Sequence, residues 1–225
     1  MAINYGAKLF ETESTAKSHT PAITSAVKAG ALVVLCMNGK RSGANLNISS
    51  ILDTNGNVWD WRIFQSQFRT AAVAWTRTSA AMPIGSGIGI TWNGTPTYAW
   101  KSAHSFEGAS GTPIDEVTAS GNSGTASVNV GVSGSDWLVV STLILPDATA
   151  GGITILNSGV SRDDNAHSGS TPWTECWSRN GTTGTVYTAG ATLPSSQTWG
   201  ICAVSFPFLA MPASPARAVP GLIGI

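Results

Sequence analysis

Short runs of β-branched and aromatic residues, each closed by turn residues, constrain the fold of this chain most strongly. Asn-Gly pairs at 38–39, 55–56, 93–94 and 180–181 stand beside such runs. Because Asn and Gly accept positive φ at both central positions of a type I′ turn, these pairs predict tight hairpins. Apolar residues at helical spacing are nearly absent, and residues 22–28 could form one helical turn at most. The pattern predicts an all-β fold.

The same runs predict where the strands lie, and most of them are separated by Gly, Ser or Pro. They are 31–37, 58–64, 71–76, 87–92, 97–106, 126–132, 136–145, 153–156, 173–178, 185–188 and 198–206. Many short strands in a chain of 225 residues favour a single antiparallel β-sandwich, which we expect to be jelly-roll-like.

Two related sets of strands are predicted by a weak internal similarity at an offset of about 100 residues. Three pairs of segments carry it: Gly30–Val34 with Asp136–Val140, Ser102–Phe106 with Ile201–Phe206, and Trp59–Trp61 with Trp173–Trp177. In the second pair Ala, Ser and Phe align at 103/203, 105/205 and 106/206. We expect each half to supply strands to both sheets of one sandwich, and two small adjacent sandwiches are the alternative.

The predicted domain covers residues 1–208, with related halves at about 28–107 and 134–206. Residues 209–225 form a Pro-rich segment with one charged residue. Because proline cannot donate to a strand ladder, this segment predicts an extended C-terminal arm. Its apolar side chains are expected to dock on another subunit or, as the alternative, back on the same sandwich. They are Met211, Leu222, Ile223 and Ile225.

Charge is scarce, since charged residues make up 11% of the chain and 12 basic residues balance 12 acidic ones. Without a Lys/Arg-rich stretch the chain has no electrostatic footprint for nucleic acid or anionic lipid. No apolar run approaches the ~20 residues of a membrane helix. We therefore expect neither nucleic acid nor membrane insertion. A neutral surface rich in Ser, Thr, Asn and Gly favours packing against neighbouring subunits.

The three cysteines, Cys36, Cys176 and Cys202, form no Cys-x-x-Cys motif, and their odd number excludes complete internal pairing. Cys36 and Cys202 lie in apolar runs, which is typical of small buried hydrophobes. The N-terminal segment carries Glu11 and Glu13 and has no apolar signal-peptide core. We therefore expect the chain to be made in the cytoplasm without a signal peptide.

Trp59 and Trp61, one residue apart after a turn, could stack a ligand or form part of the core. In a strand they share a wholly apolar face with Ile63, because alternate side chains point the same way. Burying one indole ring removes about 150–250 Å² from water. This large gain predicts that most of the nine tryptophans, including this pair, are buried.

Trp173 and Trp177 differ from that pair because Glu175 lies between them on the same predicted face. A row of aromatic, carboxylate and aromatic side chains could stack a sugar ring and bind its hydroxyl groups. A protein interface or the core would use the same residues equally well. Trp173, Glu175 and Trp177 are thus the candidate ligand-binding residues.

None of the common catalytic or nucleotide-binding motifs is complete in this sequence. Gly39-Lys40 lacks the rest of a phosphate-binding loop, and Gly85-Ser-Gly-Ile-Gly89 lacks dinucleotide-binding spacing. No Gly-x-Ser-x-Gly elbow occurs. Glu107 and Glu175 could be the paired carboxylates of a glycoside-acting enzyme, but the sequence does not give their separation. We predict no catalytic residues and no cofactor.

The histidines are scattered and give no metal-binding spacing. His104 shares a predicted strand face with Trp100 and Phe106, which is typical of a hydrogen-bonded core histidine. Arg162–His167 is the one polar cluster, and its oxygen atoms could hold calcium. A solvated loop is favoured, because the regular spacing of calcium loops is absent. We predict no metal site.

Three segments follow one another along the chain, Lys28-Ala-Gly-Ala-Leu-Val-Val-Leu35, Leu52-Asp-Thr-Asn-Gly-Asn-Val-Trp59 and Trp199-Gly-Ile-Cys-Ala-Val-Ser-Phe206. They resemble minor tail and related virion β-sandwich proteins of tailed bacteriophages, particularly those that infect actinobacteria. The resemblance covers about residues 28–206 and is a pattern of strands and turns. It implies a structural protein that assembles as an oligomer on tails or capsids, without catalytic residues.

A virion component also reconciles a contact-forming surface with the absence of an export signal, because it is released by lysis. We therefore predict a non-enzymatic virion structural protein that packs against its own copies and other virion proteins. A minor tail protein is the first expectation and a capsid decoration protein the second. A carbohydrate-binding module for host-envelope glycan and a glycoside-acting enzyme are the remaining alternatives.

Overall fold

Fourteen β-strands and no helix make up the residues that the computed structural model describes, 3–66, 69–134, 136–145, 153–165 and 174–209. At positions 66, 161, 163–165, 174–179 and 182 the description is of the backbone alone. The strands are β1 (Asn4–Glu13), β2 (Ser18–His19), β3 (Leu32–Lys40), β4 (Ile48–Asp53), β5 (Asp60–Ser66), β6 (Arg69–Arg77), β7 (Ile88–Trp92), β8 (Tyr98–Glu107), β9 (Asp115–Gly131), β10 (Asp136–Ile144), β11 (Thr154–Ile155), β12 (Val160–Asn165), β13 (Thr174–Thr182) and β14 (Val186–Pro207). All strand pairings among them are antiparallel, so the predicted all-β sandwich is confirmed.

Each half of the chain builds its own sheet. The first sheet has the order β1-β8-β3-β6-β5, and a separate three-stranded sheet, β2-β7-β4, also comes from the first half. The second sheet has the order β11-β14-β10-β13-β12, with β9 also paired to β14. The expectation that each half supplies strands to both sheets was therefore wrong. Pairing strands that are close in sequence closes shorter loops, which costs less chain entropy.

The two halves repeat one topology, which confirms two related strand sets. The central strands β3 and β10 are each flanked by a strand of the strand pair that follows them, β5–β6 or β12–β13, and by the last long strand of the half, β8 or β14. Reading across the sheets, β1-β8-β3-β6-β5 corresponds to β9-β14-β10-β13-β12. The three-stranded sheet β2-β7-β4 also has a counterpart in the second half. It consists of residues 125–131 of β9, residues 186–192 of β14, and β11.

The ladder registers agree residue by residue. Leu32 faces Phe106 in the first sheet, and Leu138 faces Phe206 in the second. The predicted alignment of 103 with 203, 105 with 205 and 106 with 206 is thereby confirmed. The predicted match of Trp59–Trp61 with Trp173–Trp177 was wrong, because β5 corresponds to β12 whereas Trp177 lies on β13.

Three apolar layers stack through the molecule. The N-terminal core lies between the first sheet and the three-stranded sheet β2-β7-β4, which we call the N-terminal flap; its members include Leu35, Ile90 and Trp92. The interface core joins the two large sheets. Two further clusters lie between the second sheet and residues of β9 and β14 that fold back over it. Layers of this kind bury both faces of each large sheet.

The fold-back occurs within the long β9–β14 ribbon. Its register shifts between Thr192 and Gln197, where β14 gains extra residues. The two ends of β9 then meet, since Asp115 Oδ2 accepts a hydrogen bond from the Gly131 amide at 2.7 Å. We call the folded-back part, residues 125–131 and 186–192 with β11, the C-terminal flap.

The two halves pack through equivalent faces. Leu32 and Val34 of β3 lie in the interface core together with Leu138 and Val140, their register equivalents on β10. An interface in which the same surface of each partner is used is isologous, as in a two-fold symmetric dimer. The chain is thus built as a fused pseudo-dimer.

Two of the four Asn-Gly pairs are not turns, contrary to the prediction. Gly56 does close a tight turn, with φ of 72° and its amide bonded to the Asp53 carbonyl at 3.2 Å. Gly39 and Gly181 instead lie inside β3 and β13. A Cβ on Gly181 would collide with the Trp137 ring. Glycine is used there to let an indole lie against the backbone.

Six of the seven tryptophans with described side chains are buried, as predicted for the majority. Trp59 is 5% exposed, and its indole nitrogen donates to Asp53 Oδ2 at 2.8 Å. Trp61 is 37% exposed, so the prediction that both members of this pair are core was wrong for Trp61. It lies on β5, an edge strand, which has a neighbouring strand on one side only.

The two buried cysteines, Cys36 and Cys202, differ in their bonding state. Cys202 is a fully buried free thiol whose pKa is raised to about 12 by burial, as expected for a small hydrophobe. Cys36 is equally buried but is disulfide-bonded, which its interpretation as a plain hydrophobe did not include.

Candidate functional site

The predicted ligand-binding row falls largely outside the described residues. Trp173 lies outside them, and Glu175 and Trp177 are described by their backbone alone. That backbone belongs to β13, an inner strand paired to β10 on one side and to β12 on the other. The predicted docking residues Met211, Leu222, Ile223 and Ile225 also lie outside the described residues, within 210–225.

Glu107 lies at the end of β8 and forms an ion pair with Lys28, with 2.8 Å between Nζ and Oε1. A shallow cavity of about 200 Å³ opens beside the pair and is lined also by Ala29, Gly30, Ala31 and Gly108. Both charged side chains are solvated, so the pair contributes only about 0–1 kcal/mol. Glu107 belongs to the first sheet and Glu175 to the second.

The polar cluster at Arg162–His167 was predicted to be a loop, and this was wrong for its described part. Residues 162–165 lie in β12 and pair with β13. The Arg162 guanidinium stacks over the Tyr5 ring at 3.8 Å from the centroid, a cation–π contact between the two halves. The described residues contain no group of His, Cys, Asp and Glu that could hold a metal ion.

Buried polar side chains concentrate instead on β8. Lys101, Ser102 and His104 are each 0% exposed. The shared register gives their equivalents on β14 as Ile201, Cys202 and Val204, which are buried and mostly apolar. The second half therefore forms the same ladder without these polar groups. Because a buried polar group costs stability unless it is hydrogen-bonded, their presence in one half calls for a specific role.

Two of these residues form a chain of hydrogen bonds on the interface side of β8. His104 Nε2 is 3.2 Å from Ser102 Oγ, and His104 Nδ1 is 3.2 Å from the Tyr5 hydroxyl. Both ring nitrogens are satisfied, as predicted for a core histidine. The serine–histidine–tyrosine order resembles a nucleophile relay, but a Ser102 hydroxyl at 0% exposure cannot meet a substrate in this conformation. Its observable role is to tie β1 to β8.

Lys101 points to the other side of β8, into the layer beneath the N-terminal flap. Its ammonium nitrogen lies 3.0 Å from Nδ1 of His19 on β2. Burial lowers the pKa of Lys101 from 10.5 to about 8. Burial and then the nearby Lys101 charge lower the pKa of His19 below 6.5. The pair thus combines a weakly basic amine and an imidazole that resists protonation.

The sequence interpretation missed Lys101. His19 and Lys101 are 82 residues apart, so no local spacing connects them. One signal was present, since the internal alignment already placed Lys101 opposite Ile201 in an apolar run. A charged residue in one copy of a repeat and an apolar residue in the other indicates a position that packing alone does not explain.

Comparison with protein-family models, curated proteins and solved structures finds no match to the chain. Within the described residues no helix has the length and apolar character needed to cross a membrane.

Proposed function

We propose that the chain is a structural subunit of a bacteriophage virion, most consistent with a minor tail protein and secondly with a capsid decoration protein. The role is assembly and not catalysis. The observation that carries the proposal is that the repeated topology places β5 and β12 at equivalent edges of the two large sheets, each with a paired strand on one side only among the described residues. An open edge strand is a template for pairing with another chain.

Both edges also carry exposed apolar side chains. Trp61 on β5 is 37% exposed, and Val160 on β12 is 48% exposed. Free edge strands are usually protected by Lys, Pro or bulges; β12 has one register shift, between Ser161 and Asp163, and the pairing of β5 with β6 has none. Large apolar residues at such edges support contacts with neighbouring subunits.

The surface chemistry supports the same role. With 11% charged residues and equal numbers of acids and bases, copies of the chain repel one another weakly. Three stacked apolar layers make the subunit rigid, so that assembly requires little ordering of the chain. A rigid neutral block with two similar edges suits a lattice, ring or tube built from repeated contacts.

The test is whether the chain is part of a particle. Particles released by lysis of cells that express the chain with its neighbouring genes would be purified on a density gradient. We expect the chain to sediment with intact particles and to resist removal by salt, because its contacts are not mainly ionic. Antibody labelling in electron micrographs would separate tail from capsid. A chain found only in the free fraction would overturn the proposal.

A further inference from the structure

We propose that Lys101 and His19 form an acid-sensitive latch that holds the N-terminal flap on the first sheet. The latch closes when at most one of the two side chains carries a proton, and it releases when both do. This goes beyond an assembly role, because it makes one layer of the subunit conditional on pH.

The contact joins two layers that otherwise meet through apolar side chains. Lys101 is on β8 of the first sheet, and His19 is on β2, a two-residue strand at the edge of the flap. β2 is held in the flap by the pairing of Ser18 with Thr91 and of His19 with Ile90. Backbone hydrogen bonds also hold the segment that carries β2, so the Lys101–His19 contact is the titratable part of this anchoring and not the whole of it.

No carboxylate among the described residues faces the pair. The ladder neighbours of Lys101 are Thr12 and Met37, and that of His19 is Ile90. The titratable side chains on the strands packed around it are Tyr5, Lys8, Glu11 and Glu13 on β1, Lys40 on β3, Asp53 on β4, and Tyr98, His104 and Glu107 on β8. β7 carries none.

The nearest acids are directed elsewhere. Glu11 and Glu13 face Ser102 and Trp100 across the ladder, so they lie on the opposite face of the sheet from Lys101. Glu11 also bonds Lys8 at 2.8 Å. Asp53 accepts hydrogen bonds from the indole of Trp59 and the amide of Asn57. A second positive charge on the pair would therefore have no counter-ion beside it.

Protonation then opposes closure. In the closed state Lys101 takes up a proton at a pKa of about 8, and burial, followed by this charge, holds the pKa of His19 below 6.5. Two cations 3.0 Å apart repel each other, and the repulsion is screened less by water because the Lys101 side chain is fully buried while His19 is half-buried. In an open flap both groups return to water and bind protons at their ordinary pKa values. The open state binds more protons, so lowering the pH below 6.5 favours opening.

The C-terminal flap is a control built into the same molecule. At the register of Lys101 the second half has Ile201, which is 0% exposed and packs with Ala126 and Ala191 beneath that flap. Among the described residues of this layer, Ile201 gives acid no ionisable partner to act on. Release of the N-terminal flap alone would uncover Ile90 and Trp92, giving the subunit a new apolar surface at low pH.

Hydrogen exchange on the intact protein, read by mass spectrometry and corrected for intrinsic rates, tests the latch. Between about pH 8 and about pH 5 we expect protection of 48–53 and 88–92 to fall, by up to about 10-fold per pH unit below 6.5. Protection of 125–131 and 186–192 should change little. Equal loss of protection in both flaps, or none in either, would overturn the proposal.

Three variants test whether Lys101 and His19 cause the pH response of the N-terminal flap. Lys101→Ile copies the second half, and His19→Gln keeps a neutral acceptor for the Lys101 ammonium; each should make the N-terminal flap as insensitive to pH as the C-terminal flap. Lys17→Met removes an exposed cation next to β2 and should retain the wild-type response. If Lys101→Ile does not fold, His19→Gln decides alone. A pH response that persists in a folded Lys101→Ile or His19→Gln protein would rule the latch out.

Discussion

At the scale of single residues, the most unusual side chain is a buried lysine whose hydrogen-bond partner is not a carboxylate. Lys101 is 0% exposed and has the His19 imidazole as its hydrogen-bond partner. The free-energy cost of charging it in that site appears as a lowered pKa. Other lysines, such as Lys28 with Glu107, follow the common pattern of a solvated ion pair. Lys101 is therefore a residue that the fold tolerates at a cost.

Lys101→Met should stabilise the protein at neutral pH. The folded-state pKa of about 8 lies below the unfolded value of 10.5, so wild-type stability rises between these pH values and is lowest below pH 8. At about 1.4 kcal/mol per pH unit, the penalty removed at pH 7 is at most about 3 kcal/mol. Urea unfolding measured from pH 7 to pH 11 should show the advantage of the variant shrinking as the pH rises. A constant difference across that range would contradict the linkage.

At the scale of elements, the strands that are apolar throughout could be predicted from the sequence. The strands that form only through pairing with a neighbouring strand were missed. Leu32–Lys40 and Asp136–Ile144 are buried along nearly their whole length, so their runs were visible. Asn4–Glu13 was missed, because its polar residues alternate with half-buried ones at a sheet edge. β12 was taken for a loop because its polar residues gave no apolar run. Pairing with β8 and β13, and not local propensity, makes them strands.

Placing a charge on the two exposed edges should weaken self-association. Trp61→Lys on β5 and Val160→Lys on β12 introduce the residue that free edge strands commonly carry. We expect a shift toward the monomer in light-scattering mass measurements, greater in the double variant. Ile84→Lys replaces a residue that is 68% exposed and lies in a turn outside the strands, and it should leave the mass unchanged. Equal effects of the edge and control variants would show that net charge, and not edge pairing, governs association.

At the scale of the whole molecule, the internal duplication was predictable in outline but its packing was not. The identical residues at 103/203, 105/205 and 106/206 gave the correct alignment of β8 with β14. Which face each sheet buries against the other depends on contacts between distant segments, such as Trp75 with Phe206 at 5.7 Å between ring centroids. The Lys101–His19 pair escaped prediction for the same reason.

Removing equivalent aromatic rings from the interface core should destabilise both halves together. Phe106→Ala and Phe206→Ala each delete a ring that is at most 1% exposed, at an expected cost of about 3–5 kcal/mol. Because one apolar layer joins the two sheets, calorimetry should show a single transition at lower temperature in either variant. Two separated transitions would show that the halves unfold independently.

The fused pseudo-dimer has a geometrical consequence for any closed assembly. The two halves of the chain are similar but not identical, so one subunit presents two similar structural units to its neighbours. A ring of n copies would display 2n nearly equal edges, so its outer contacts could match a partner of twice its rotational order. The differences between the halves, Lys101 against Ile201 among them, would then distinguish alternate positions around that ring.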